Sequence, residues 1–127
     1  MQSKLQPSSR HVDFQAILDY AALTNDYNPL HVDHAFAAKT PFGGVIAHGT
    51  MSVALIWQAL AQTLGTQALD GIDLDIRFMK PVRIGDTVAG GGQLQEGSND
   101  VYDVWVKTQN GEGDVVISGT ATIRRAN

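Results

Sequence analysis

The chain has 127 residues, with nine Lys and Arg against thirteen Asp and Glu, a formal net charge of −4, 17% charged and 43% hydrophobic residues. This is the composition of a globular chain, not a disordered one, and it lacks the basic stripe that a nucleic-acid binder sets against phosphates. The absence of cysteine excludes disulfides, thiolate nucleophiles and cysteine-ligated metal sites. A chain of this size can bury about two-thirds of its unfolded surface, enough for one core, and one domain over residues 1–127 is expected. Residues 1–10 are polar and carry no apolar export core. The apolar run 51–64 is broken by Ser52, Gln58, Gln62 and Thr63, too short and too polar to span a bilayer. A cytoplasmic protein with no membrane partner is expected.

Residues 1–9 read as a loose arm that can end in a short edge strand. Over 13–23, Phe14, Ile17, Leu18 and Ala21 recur at helical spacing. Asp13 can cap that helix, and Asn25 lies where it would stop. Residues 26–31 form a polar loop around Pro29, and 33–39 a short helix capped by Asp33. Residues 40–47 form a loop with Pro41 and the pair Gly43 and Gly44. Residues 48–64 read as a long helix, apolar on nearly every side, which must therefore be buried.

The period then changes to two. Ile72, Leu74, Ile76 and Phe78 alternate with Asp73, Asp75, Arg77 and Met79, a strand with one buried face. Pro81 and the pair Gly85 and Asp86 mark a turn. Residues 87–95 form a second strand, in which Gly90, Gly91 and Gly92 suggest a bulge or bend. Residues 101–108 form a third, followed by a tight connection at 110–113. Residues 115–123 form a fourth, with Val115, Ile117, Gly119, Ala121 and Ile123 on one face. Hairpin-length connections predict an antiparallel meander. One oily sheet face must be covered, and only the helix over 48–64 is apolar enough to do it. The expected class is α+β: a curved antiparallel sheet wrapped around a central helix, the hot-dog fold.

Asp26-Tyr-Asn-Pro-Leu-His31 sets a carboxylate and an imidazole five residues apart around an Asn-Pro bend. Pro29 pushes Asn28 toward extended backbone, and such a bend can aim both side chains at one water, as hydration or dehydration requires. Spacing alone favours the simpler alternative, with Asp26 capping the next turn and His31 an ordinary surface or helix-start residue. Gly43-Gly-Val-Ile-Ala-His-Gly49 leads into the buried helix, whose first N–H groups are unpaired and carry partial positive charge. Gly49 would let a carbonyl oxygen approach its N–H, an oxyanion site for a thioester. Here too the simpler alternative, glycines that permit a tight loop, is favoured on its own. His31 and His34 are three apart and His48 and Asp26 could join them, but nothing completes a recognisable metal site, and none is expected. His34 and His11 read as solvated, His48 as a structural histidine bonding the loop, and Trp57 and Trp105 as core or interface aromatics.

Taken together, Asp26-Tyr-Asn-Pro-Leu-His31, the following Val-Asp-His-Ala-Phe-Ala37, Gly44-Val-Ile-Ala-His-Gly49, Arg77-Phe-Met-Lys-Pro-Val82 and Gly85-Asp86 resemble the MaoC-like dehydratase family, which includes the (R)-specific enoyl-CoA hydratases. The resemblance covers about residues 13–90, and the later strands by pattern only. It implies a hot-dog subunit in a homodimer or a higher assembly of dimers. The implied reaction is syn addition of water to a trans-2-enoyl thioester of CoA or acyl carrier protein, giving the (R)-3-hydroxyacyl thioester, or the reverse. Asp26 and His31 would activate the water and handle the α-carbon proton. The Gly49 N–H would bind the thioester oxygen, and Asn28 would brace the loop. No cofactor is implied. The family usually has a small residue, often Gly, before the catalytic Asp, where this chain has Asn25; Asn tolerates left-handed backbone. The initial strand is expected to be abbreviated.

Two alternatives stand beside this reading. A hot-dog thioesterase would cleave the thioester, but those enzymes commonly use a carboxylate on the central helix, and 48–64 contains no Asp or Glu. A non-catalytic acyl-thioester-binding subunit would lack the acid–base pair present here. Met51, Leu55, Trp57 and Phe78 could line an acyl tunnel or belong to the core. Lys39, Arg77, Lys80 and Arg83 could lie near the mouth, with Lys80 and Arg83 the candidate phosphate contacts.

Overall fold

The computed structural model describes residues 3–124. The first long helix, α1 (Phe14–Thr24), is capped by Asp13, whose Oδ1 accepts the Ala16 N–H at 2.7 Å. Two short helices follow, α2 (Pro29–Val32) and α3 (His34–Ala38). Asp33 caps α3 through the Phe36 N–H at 3.0 Å. The central helix α4 (Gly49–Leu64) buries Met51, Ser52, Leu55, Ile56, Ala59 and Leu60. Among the described residues no helix is long and apolar enough to cross a membrane.

Five strands form one antiparallel sheet: β1 (Ser8–His11), β2 (Ile72–Phe78), β3 (Thr87–Leu94), β4 (Val101–Lys107) and β5 (Val115–Ile123). Their spatial order is β1-β3-β4-β5-β2, and α4 packs on its concave side against β1, β3 and β4. This is the hot-dog arrangement. The meander holds only for β3-β4-β5. β2 does not hairpin onto β3 but lies at the far edge beside β5, in register from Ile72↔Ile123 to Phe78↔Ile117. The reason is the path of residues 79–86, which cross the end of the sheet as a strap. The Met79 N–H bonds the Val116 carbonyl, the Ala47 N–H bonds the Val82 carbonyl, and the Gly85 N–H bonds the Val12 carbonyl. An Ile46–Arg83 bridge completes the strap's hold on the 40–48 loop.

Three local expectations are corrected. Residues 3–9 are not a loose arm. Leu5 is buried and donates its N–H to the Gly92 carbonyl, and Lys4 bridges Gln93. Gly90, Gly91 and Gly92 form no bulge, since β3 runs in unbroken register with β4 from Ala89↔Lys107 to Leu94↔Tyr102. They are sites of close approach: a Cβ on Gly90 would stand 2.8 Å from Leu55 Cβ and 2.9 Å from its backbone carbon, so the missing side chain lets α4 settle onto the sheet. The one register shift falls at Val106/Lys107, opposite β5. The extra residue there is Val116, which turns inward while Val115 turns out to solvent. The buried face of β2 also fades along its length. Ile72 is buried, Leu74 and Ile76 are half-buried, and Phe78 is 59% exposed at the edge.

Candidate active site

The site begins where α1 ends. Asn25 takes the left-handed conformation (φ 55°, ψ 36°), and its N–H closes the helix on the Ala21 carbonyl. That turn delivers Asp26 into an exposed bend, where its Oδ1 accepts the Asn28 N–H at 3.2 Å. Asn28 caps α2 in turn, its Oδ1 accepting the Leu30 N–H at 3.0 Å, with Pro29 in the first turn, where no N–H is needed. His31 therefore rides on a four-residue helix whose entry is held by Asn28.

His31 Nδ1 lies 2.7 Å from the Ile46 carbonyl. A carbonyl only accepts, so Nδ1 carries the hydrogen and Nε2 is the free base of the neutral ring. His48 Nε2 likewise donates to the Asp26 carbonyl at 2.9 Å. The two imidazoles stack, with centroids 4.0 Å apart and 27° between planes. Asp26, His31 and His48 each bring a carboxylate oxygen or ring nitrogen within 4.8 Å of the others.

Gly49 is the first residue of α4, so its N–H is one of those the helix cannot satisfy itself. It opens on a cavity of about 330 Å³ lined by His31, His48, Gly49, Ser52, Phe78 and Val116, together with parts of the 40–48 loop and the strap. A Cβ at Gly49 would fall 2.8 Å from Phe78 Cε1, so the missing side chain lets the Phe78 ring stand over the start of α4. The lining is apolar apart from the histidines, Ser52 and Lys80. His31 and Gly49 belong to this lining and Asp26 does not, but the Asp26 carboxylate lies within 4.8 Å of a ring nitrogen of both lining histidines.

Among the described residues the group that could hold a metal is Asp26, His31 and His48, while His34 packs its ring on Phe14. Lone pairs lie in ring planes, and two nearly parallel rings set them side by side rather than at one point. Asp26 and His31 stand close enough to share one water as an acid–base pair. Of the candidate phosphate contacts, Lys80 lines the cavity and pairs with Asp114 at 3.2 Å, both side chains exposed. Arg83 is exposed, and its Nη1 donates to the Phe42 carbonyl. Of the tunnel candidates only Phe78 reaches this cavity. Met51 and Leu55 line a separate hollow beside Tyr20 and Leu23, and Trp57 packs on the core. The Ile46 carbonyl that holds His31 leaves no mark in the sequence, since a backbone acceptor has no residue signature.

A profile for the MaoC-like domain matches residues 1–117. The chain belongs to the MaoC-like family. This MaoC-like chain is 38% identical over 79 residues to a 3-hydroxybutyryl-CoA dehydratase of Methylorubrum extorquens, a match covering 62% of this chain and 50% of that one. It is 34% identical over 108 residues to an (R)-specific enoyl-CoA hydratase of Rhodospirillum rubrum, covering 82% and 73%. The chain thus spans about half the length of the dehydratase it matches. Among solved structures, the (R)-hydratase of A. caviae, involved in PHA biosynthesis, superposes with a TM-score of 0.78 at 27% identity, covering 99% of this chain and 98% of that one.

Proposed function

We propose that this MaoC-like protein is a hydratase/dehydratase that adds water to a trans-2-enoyl thioester to give the (R)-3-hydroxyacyl thioester, or runs the reverse. The observation that carries the reading is His31: the Ile46 carbonyl holds its Nδ1–H and so leaves Nε2 as the open ring nitrogen, while a ring nitrogen of His31 lies within 4.8 Å of the Asp26 carboxylate. The thioester oxygen sits on the Gly49 N–H. Water is held between Asp26 and His31. Its oxygen bonds C3 as one proton passes to the pair, and the π electrons move onto the carbonyl as an enolate facing Gly49. The pair then returns a proton to C2 on the same face, so one water is added and no net proton is consumed. The relatives named as a 3-hydroxybutyryl-CoA dehydratase and an (R)-specific enoyl-CoA hydratase support the substrate class and the hand.

No step uses a metal or a dissolved cofactor. The proposal takes in a cytoplasmic location, a CoA or acyl-carrier-protein thioester with its phosphate arm near Lys80 and Arg83, and a homodimer. The dimer is supported by β2, which among the described residues has a strand neighbour on one side only and ends in Phe78, followed by Met79, each 59% exposed. The test is to mix the protein with crotonyl-CoA and with a longer trans-2-enoyl-CoA, following enoyl absorbance and the chirality of the product. The (R)-3-hydroxy product is expected. Release of free thiol without hydration would replace this reading with a thioesterase, and binding without reaction in either direction with a binding subunit.

A further inference from the structure

We infer that His48 is a positioning residue for the acid–base pair, holding Asp26 through its backbone and His31 through its ring; the inference rests on the hydratase reading. His48 occupies the N-cap position of α4, yet its side chain makes no capping bond. Side chains that serve as caps are Ser, Thr, Asn and Asp, whose oxygens reach back to the helix N–H groups. Here the ring points the other way. It is 2% exposed, and its Nε2–H crosses to the Asp26 carbonyl at 2.9 Å. One ring face stacks on His31 at 4.0 Å. Tyr20 also packs against the ring, at 4.9 Å and 59°, with its own hydroxyl donating to Thr50 Oγ1 at 2.6 Å. The imidazole thus contacts the rings of both Tyr20 and His31.

A purely structural role accounts poorly for the remaining nitrogen. Nδ1 is buried with no partner among the described residues, and a stranded buried acceptor is destabilising. The arrangement sets stability against geometry at the point where geometry matters. His31 sits on a four-residue helix too short to be rigid by itself. Asp26 sits in an exposed bend whose backbone is fixed by its own N–H to the Ala21 carbonyl at 3.1 Å and by His48. One residue thereby ties both reacting side chains to the helix whose first N–H, that of Gly49, would hold the thioester oxygen.

The two holds can be separated. His48→Gln can keep a donor near the Nε2 position without the ring; His48→Phe keeps a ring face without the donor; His48→Ala removes both. Hydration of crotonyl-CoA is measured per folded molecule, below each variant's melting temperature, alongside the His31 ring resonances by NMR. The expected result is a kcat lowered about 10- to 100-fold in His48→Ala with KM within about two-fold, because small misplacements act on the chemical step. Smaller losses are expected in the other two. The His31 ring signals should move in His48→Ala and His48→Gln and stay nearer the wild type in His48→Phe. Unchanged kcat, or a loss that tracks only the folded fraction, overturns the inference. If the wild type hydrates no enoyl-CoA, the hydratase reading fails and the His31 signals decide alone: unmoved in His48→Gln, they overturn the positioning role. If His48→Ala does not fold, the Gln and Phe variants carry the same comparison.

Discussion

His31 has two ring nitrogens, and the chemistry depends on which one the backbone holds. The Ile46 carbonyl takes Nδ1–H and leaves Nε2 for water, while Asp26 stands beside it in the bend. His31→Ala and Asp26→Ala should each lower hydration about 100- to 10,000-fold. Both side chains sit outside the core, so circular dichroism and melting temperature should stay close to wild type; turnover retained in both variants would remove the acid–base assignment. Asn25 acts one step earlier. With φ at 55°, Asn25→Gly should be tolerated, whereas Asn25→Val should destabilise by about 1–2 kcal/mol in urea denaturation. Residue type and spacing alone left Asp26, His31 and Gly49 with simpler readings, and it was the resemblance that singled them out with Asn28; the Asn-Pro bend does bring the carboxylate and a ring nitrogen within 4.8 Å of each other. His48 was legible as a histidine bonding the loop. Its stack on His31 was not, because it exists only once α2 and α4 meet in space.

At the scale of elements, caps are local and so could be read in advance. Asp13 and Asp33 sit where the first and third helices begin, and their side-chain oxygens accept the expected N–H groups. Strand partners are not local. Nothing in the period-two pattern of 72–78 says that β2 will lie beside β5, since that depends on the strap of residues 79–86 and its bonds to Val12, Ala47 and Val116. Glycines show the same divide, because their role depends on what faces them. A Cβ on Gly90 meets Leu55 Cβ and backbone, which belong to the buried helix. Gly90→Ala must push α4 off the sheet and should destabilise by about 1–3 kcal/mol. At Gly49 the clash is with the ring of Phe78, an exposed side chain that can swing aside. Gly49→Ala should therefore change the melting temperature little while lowering kcat, since its methyl group crowds the N–H that would face the enolate. Equal losses of stability in the two variants would contradict this division.

For the whole molecule, the hot-dog arrangement was legible because only one helix could cover one oily sheet, a matter of supply rather than of pairing. The consequences of assembly were harder to read. Phe78 belongs by period to a buried face but stands at the open edge of β2 beside the cavity. In the proposed dimer that edge is covered: light scattering should give twice the 13.6 kDa chain mass, and Phe78→Asp with Met79→Asp should shift it toward one chain mass. The cavity mouth gives the last expectation. Lys80 and Arg83 were paired in sequence as phosphate contacts, but they are differently placed. Arg83 is committed to the Phe42 carbonyl, so removing it disturbs the 40–48 loop as well as any ligand. Lys80 is the cleaner probe, because its pairing with Asp114 is exposed at both ends and such pairs contribute at most about 1 kcal/mol. If the phosphate arm of the thioester passes Lys80, Lys80→Gln should raise KM about two- to five-fold with kcat unchanged. The effect should shrink with added salt, which screens an exposed charge. A KM that stays fixed at low salt would move the phosphate arm to another side of the cavity while leaving Asp26, His31 and Gly49 in their roles.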